Sequence, residues 1–310
     1  MTPEVQGSPR RAAVDCGTNT IKLLILDQDD TELAREMRMV RLGQGVDATG
    51  VLTPEALDRT FGAIDEYAEM IRRLDVRRVR FVATSATRDA SNAAQFAVGV
   101  HDRLGVDPEV VTGAEEAALS FAGAVSHLRE APVMPVLVVD IGGGSTELIR
   151  GSSVTAPPSA AFSMQIGSVR LHERHLRTDP PTMAEVAACV RDIDTALDHC
   201  PVSSDLAGTI VGVAGTVTQL AAGVLDLPAY SREAIDQARL PVDDIHALVD
   251  RLLAMTVSER LALPWMHPGR ADVIGAGGLI LSRILRRSTV DHLVVSEADI
   301  LDGIARSMTD

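Results

Sequence analysis

Two stretches of the chain set an acid, glycines and hydroxyls in the same order. VDCGTNTIKLLI begins at Val14 and VDIGGGSTELIR at Val139. In each, an apolar run ends on an aspartate, Asp15 or Asp140. One residue later comes a glycine, Gly17 or Gly142, then small polar residues and a second apolar run. Glycine allows close backbone approach. Successive N–H groups in such a turn can form an anion-binding nest, and Thr18, Thr20, Ser145 and Thr146 add hydroxyl donors. That chemistry suits phosphate. Asp15 and Asp140 would repel a phosphate directly, so a divalent cation between them is implied. Mg²⁺ is the expectation, because it is usually held by one or two carboxylates plus phosphate oxygens; Mn²⁺ is the substitute. One copy alone would read as an ordinary β-hairpin with a glycine turn. Two copies, with 125 residues separating Asp15 from Asp140, suggest two similar domains. A solenoid is set aside, since its units run ~20–50 residues.

The elements that must position these turns alternate between strand and helix. Residues 11–16 and 21–27 read as strands. Residues 54–74 read as an amphipathic helix opened by Thr53 and Pro54, an N-cap followed by proline at the first helical position. A strand at 77–84, a helix at 91–104, a strand at 109–112 and a helix at 113–128 follow. The strand 135–140 opens the second half. Pro157–Pro158 marks a loop, residues 182–199 a helix, 208–215 a strand and glycine turn, and 216–224 a helix. Helices at 242–254 and about 270–286, a strand at 292–296 and a last helix at 297–308 complete the pattern. Residues 225–241 take no assignment. Such alternation predicts mixed sheets with helices outside.

Other residues carry weaker signals. The turn GVAGTVT (212–218) opens a helix whose N-terminus favours an anion, although many strand-to-helix turns look like it. GAGG (275–278) reads as close helix packing. Glu115 and Glu116 open a helix, where acids in the first turn are favourable; one of them could equally face a site. Arg88 follows Thr84–Ser85 at a strand end, where α/β sites gather ligands, and Arg170 is similar but weaker. There is no P-loop, no GxSxG elbow and no HExxH.

Composition narrows the function further. The chain has 310 residues, of which 46% are apolar, enough for two domains on a ~150-residue prior. A net charge of −14 disfavours nucleic acid, which needs a broad basic field. No apolar run approaches the ~20 residues of a membrane helix, and MTPEVQGSPRR has no apolar segment that would make it a secretory signal. Cys16, Cys189 and Cys200 show no CxxC spacing. A reduced, cytoplasmic protein is the expectation.

The motifs resemble the exopolyphosphatase / guanosine pentaphosphate phosphatase (Ppx/GppA) family of the actin-like ATPase superfamily. The resemblance rests on DCGTNTIKLLI (15–25), TSATRDASN (84–92), TGAEEAALSFAG (112–123), VVDIGGGSTEL (138–148), GSVRL (167–171), GVAGTVTQL (212–220), RADVIGAGGLIL (270–281) and VSEADILDGIA (295–305). It implies an α/β fold of two actin-like (ribonuclease H-like) domains with an interdomain cleft and mixed sheets flanked by helices. The domains are expected at 1–127 and 128–296, with the helix 297–310 packing back on the first. It implies Mg²⁺-dependent hydrolysis of a terminal phosphoryl group. Glu116 falls on the family's general base. Asp140 and Glu147 fall on metal- or water-coordinating positions, with Asp15 as a third. Gly17, Thr18, Asn19, Arg88, Gly143, Gly144 and Ser145 fall on phosphate-contacting positions. Lys22 stands where members often carry Arg or His, keeping a cation without bidentate geometry.

The expected substrate is inorganic polyphosphate, with guanosine pentaphosphate as the alternative. A non-catalytic polyphosphate or nucleotide sensor and a small-molecule kinase of the same superfamily are further readings. No nucleic acid and no membrane are expected as partners, and a homodimer is. The chain is expected to lack the long C-terminal helical extension of longer members, which supports processivity and their dimer.

Overall fold

A computed structural model describes residues 10–308. The segment 1–9, where no secretory signal is expected, and the last two residues of the expected helix 297–310 lie outside the described residues. The chain divides into two compact units. One comprises the described part of Met1–Thr112 together with that of Ile300–Asp310; the other is Gly113–Asp299. The division falls at 112/113, not at the 127/128 expected from sequence. The helix Gly113–Val125 lies on the strands that follow it. Its apolar face, Ala117, Phe121, Ala124 and Val125, shares one core with Val136, Val138, Ile149, Val211 and Val213.

The first unit holds a five-stranded sheet in the order β3-β2-β1-β4-β5. Its strands are β1 (Arg11–Cys16), β2 (Thr20–Leu26), β3 (Glu32–Met39), β4 (Arg78–Ala83) and β5 (Glu109–Val110). The second holds six strands in the order β10-β11-β9-β6-β7-β8. They are β6 (Val136–Ile141), β7 (Thr146–Gly151), β8 (Ala160–Met164), β9 (Thr209–Val213), β10 (Arg239–Pro241) and β11 (His292–Val295). Each sheet is mixed and built around the repeated motif. β1 pairs antiparallel with β2 and parallel with β4; β6 pairs antiparallel with β7 and parallel with β9.

Strand alternation decides which way the aspartates face. Ala12, Val14 and Cys16 enter a core with Leu57, Ile64, Tyr67 and Ile71 of the helix Pro54–Arg73. Asp15 therefore sits on the opposite face of β1. Leu137, Val139 and Ile141 enter the large core of the second unit, while Val136 and Val138 enter the core under Gly113–Val125. Asp140 shares that second face. The helix Ile300–Arg306 packs on β1 within the first unit.

The predicted N-cap at Thr53 is present, its side chain accepting from Ala56 N at 3.3 Å. The GAGG segment is packed as expected, with Gly278 against Val249 and Gly277 against Thr216 and Ser168. The strand expected at 109–112 shortens to Glu109–Val110. The helices expected from about 270 and from 297 start at Ile274 and Ile300. Among the described residues no helix is long and apolar enough to cross a membrane.

Candidate active site

In the second unit, sheet register sets a polar row. Asp140 on β6 lies opposite Glu147 on β7, and Glu147 lies opposite Ser163 on β8. Directly opposed residues share a face with Cβ atoms about 4.5–5.5 Å apart. All three stand on the face covered by Gly113–Val125. Glu116, at 7% exposure, and Ser120, at 0%, lie four residues apart on the buried stripe of that helix, whereas Glu115 is exposed. Of the two glutamates, only Glu116 is turned inward.

Three hydroxyls hold the carboxylates. Ser120 Oγ donates to Asp140 Oδ2. Ser163 Oγ donates to Glu147 Oε1 at 2.6 Å, and the Ser145 hydroxyl also bonds to Glu147. Burial, then the charges of Glu116 and Asp140, push the Glu147 carboxyl well above the usual carboxylate range. The sign of the consequence is unusual for an acid. Above the ordinary glutamate range the unfolded chain has lost this proton while the folded chain keeps it, so stability falls as pH rises. In chelator-treated protein the Tm should therefore fall with rising pH beyond about 4.5. Glu147→Gln should flatten that slope; an unchanged slope would place the proton elsewhere.

The loop Gly142–Ser145 is braced from below. Gly142 N donates to Ser145 O at 3.0 Å. Ser168 N donates to Gly142 O at 2.9 Å, and Val169 N and Arg170 N to Gly143 O at 2.9 and 3.1 Å. Arg170 Nε adds a bond to Gly144 O at 2.7 Å. The first N–H groups of the helix Ser168–His175 thus engage loop carbonyls. Arg170, read from sequence as a weaker relative of Arg88, here fixes the loop. Gly167 allows the approach: a Cβ there would fall 2.4 Å from Gly143 O and 2.6 Å from Gly144 C. Both contacts are backbone, so Gly167→Ala should displace the loop, cost about 1–3 kcal/mol as overpacking, and raise KM. Denaturant titration and steady-state kinetics check both.

In the first unit the same register pairs Asp15 with Lys22. Lys22 Nζ lies 3.5 Å from Asp15 Oδ2. Position 22 in the first hairpin corresponds to 147 in the second. The first hairpin therefore pairs its aspartate with a cation, while the second pairs it with another acid. The loop 17–19 closes through Gly17 N to Thr20 O at 2.9 Å. It is fastened by Val40 N and Arg41 N to Asn19 O and by Gly43 N to Thr18 O. Thr18 Oγ1 and Ser85 Oγ share a hydrogen bond of 2.9 Å. Asn19 is 5% exposed, and its side-chain nitrogen and oxygen are both buried without a hydrogen-bond partner among the described residues. A buried amide left so is costly unless something external satisfies it. Arg88 Nη1 donates to Val111 O at 3.0 Å, within the same unit.

The third glycine turn, 212–218, accommodates a cation: a Cβ at Gly215 would fall 1.9 Å from Nη2 of Arg270, so the guanidinium lies directly against that glycine. Sequence reading gave Arg270, Ser120 and Ser163 no role. Isolated serines and arginines carry no signal until register and helix face align them. Among the described residues, no three His, Cys, Asp or Glu side chains form a ready coordination set.

Mixed sheets built on a duplicated strand–acid–glycine–hydroxyl–strand hairpin define an actin-like α/β protein with phosphate-type turns. The Ppx/GppA phosphatase family model matches residues 24–310, and the chain belongs to that family. It is 47% identical over 317 residues to Exopolyphosphatase 2 of Mycobacterium tuberculosis, covering 96% of this chain and 98% of that one. It is 30% identical to a guanosine-5′-triphosphate,3′-diphosphate pyrophosphatase of Vibrio atlanticus, covering 97% of this chain and 60% of that protein. The crystal structure of an exopolyphosphatase-like protein superposes with a TM-score of 0.91 at 44% identity, covering 96% of this chain and 98% of that one.

Proposed function

We propose that the chain is an exopolyphosphatase, hydrolysing the terminal phosphoryl group of inorganic polyphosphate and releasing orthophosphate. The observation that carries this reading is Glu116, buried with its charge bearing on Glu147 while its neighbour Glu115 faces solvent. The relative named Exopolyphosphatase 2 supports the substrate class.

The donor set fits a divalent cation. Asp140 and Glu147 are hard oxygen ligands, side by side on one sheet row, and their mutual repulsion is relieved by positive charge. Two carboxylates with substrate oxygens and water match the habits of Mg²⁺ and do not make an all-protein cage. Asp140 and Glu147 would hold the ion, whereas Asp15, in the first unit, is already matched by Lys22. When bound, such an ion neutralises charge on phosphate oxygens.

The residues of the chain then divide the work. Gly143, Gly144 and Ser145 of the second hairpin bind phosphate oxygens; in the first hairpin Gly17, Thr18 and Asn19, with the positive charges of Lys22 and Arg88, form a turn of the same phosphate-binding kind. The unpaired Asn19 amide is well suited to a phosphate oxygen. Water attacks phosphorus in line with the bridging oxygen. Glu116 takes the proton of that water, the bridging P–O bond breaks, and orthophosphate leaves with a chain one phosphoryl shorter.

The Vibrio relative motivates a second reading, the same hydrolysis on the 5′-terminal phosphate of guanosine pentaphosphate. Phosphate release from short polyphosphate, long polyphosphate and guanosine pentaphosphate, each with Mg²⁺ and with chelator, separates the two. Faster release from either polymer supports the first reading. Preference for the nucleotide overturns it, and binding without release would make the chain a sensor.

A further inference from the structure

The proposed mechanism leaves two hydroxyls without a part. Ser120 is fully buried, one helical turn beyond Glu116, and donates to Asp140 Oδ2. Ser163 ends the row Asp140–Glu147–Ser163 and donates to Glu147 Oε1 at 2.6 Å. The two come from different elements, a helix and an edge strand. Gly113 joins those elements: a Cβ there would fall 2.7 Å from Ser163 Cβ, so the first turn of the helix bearing Glu116 rests on Ser163.

We propose that Ser120 and Ser163 are positioning residues that fix the Asp140 and Glu147 carboxylates for one-oxygen coordination, and so make the site selective for Mg²⁺ over Ca²⁺. The inference rests on the assignment of a divalent cation to Asp140 and Glu147. The terminal torsion of a carboxylate is broad, and two opposed acids repel, so an unclamped pair would rotate apart. Hydroxyl bonds limit that rotation: Ser120 holds Asp140 Oδ2, and Ser163 holds Glu147 Oε1 beside the further bond from Ser145. Mg²⁺ demands near-octahedral geometry with few protein ligands, whereas Ca²⁺ takes six to eight oxygens and uses carboxylates in bidentate fashion. Tying Asp140 Oδ2 and Glu147 Oε1 to serines penalises the bidentate mode that Ca²⁺ uses.

The test uses the full chain without substrate. Mn²⁺ binding is followed by electron paramagnetic resonance, and Mg²⁺ and Ca²⁺ are titrated as competitors, on wild type, Ser120→Ala, Ser163→Ala and Asp140→Ala. Each serine variant is expected to weaken Mn²⁺ binding by about 10–100-fold, the usual effect of losing a partner that orients a metal ligand. The Mg²⁺ to Ca²⁺ competition ratio should move toward Ca²⁺. That ratio is read within one sample, so partial unfolding does not mimic it. Ser163, at a sheet edge and only partly buried, keeps the test decisive even if Ser120→Ala folds poorly. Wild-type affinity and ratio in Ser163→Ala, or weakened affinity with an unchanged ratio, would overturn the proposal while leaving the cation assignment standing. Mn²⁺ binding that survives Asp140→Ala unchanged would remove that assignment and the proposal with it.

Discussion

Glu116→Gln should lower turnover by about two to four decades, the usual contribution of a positioned general base. Substrate affinity should persist or rise. Glutamine keeps the size and hydrogen-bonding reach of glutamate, but it cannot accept a proton from water. It also removes one of the negative charges that crowd Glu147. Glu115→Gln is the matched control. Its side chain is exposed and, one helix position away, points ~100° elsewhere. Losing an acid from the first turn costs only ~0.3–1 kcal/mol of stability, and chemistry should be nearly intact. Single-turnover phosphate release, with thermal melts on the same samples, makes the comparison. Near-normal turnover in Glu116→Gln, or a larger loss in Glu115→Gln, would transfer the role to the other glutamate.

How far the sequence carried this site follows from the range of the interactions involved. The acid–glycine–hydroxyl hairpins were legible because they are local: apolar alternation, Gly17 and Gly142, and the spacing 15–22 and 140–147 lie within a dozen residues. The helix Pro54–Arg73 was legible from Thr53, Pro54 and a 3.6-residue apolar stripe. β3 was not assigned, because an edge strand reading ELAREMRM buries little and its charges are satisfied elsewhere, as in Arg35–Asp302 at 2.6 Å. β8 and the helix Ser168–His175 are short and follow the Pro157–Pro158 loop. The region 225–241 resolves into the helix Arg232–Ile235 and the strand Arg239–Pro241, too brief to show a period. The domain boundary was misplaced because helix type does not reveal which sheet a helix covers; the shared core of Phe121 with Val136 and Ile149 does. Within the site, the roles of Ser120, Ser163 and Gly167 depend on pairings across a helix face, a sheet row and a loop. No linear spacing encodes these.

Asp140→Ala should abolish metal-dependent turnover while leaving the fold intact, and Glu147→Lys should do the same by the opposite electrostatic route. The two hairpins present one backbone arrangement with different charge. Asp15 faces Lys22, and the pair is neutral within the unit. Asp140 faces Glu147, which is 1% exposed and disfavours ionisation beside two other acids. Removing Asp140 would take away one of the two proposed ligands and relieve repulsion, so melting of the metal-free protein should hold or rise while metal-dependent activity is lost. Glu147→Lys copies the first hairpin into the second. The introduced ammonium would face Asp140 and supply the positive charge internally, so the metal-free variant should be no less stable than wild type. It should also lose the gain in Tm that wild type shows on adding Mg²⁺, a gain expected to follow RT ln(1 + [L]/Kd). Phosphate release should fall to background, because a tethered ammonium cannot replace the charge neutralisation that the proposed divalent cation would supply. Thermal melts with and without Mg²⁺, alongside phosphate release, read both parts. A Glu147→Lys variant that still gains Tm with Mg²⁺ and still turns over would show that the cation is held elsewhere in the chain.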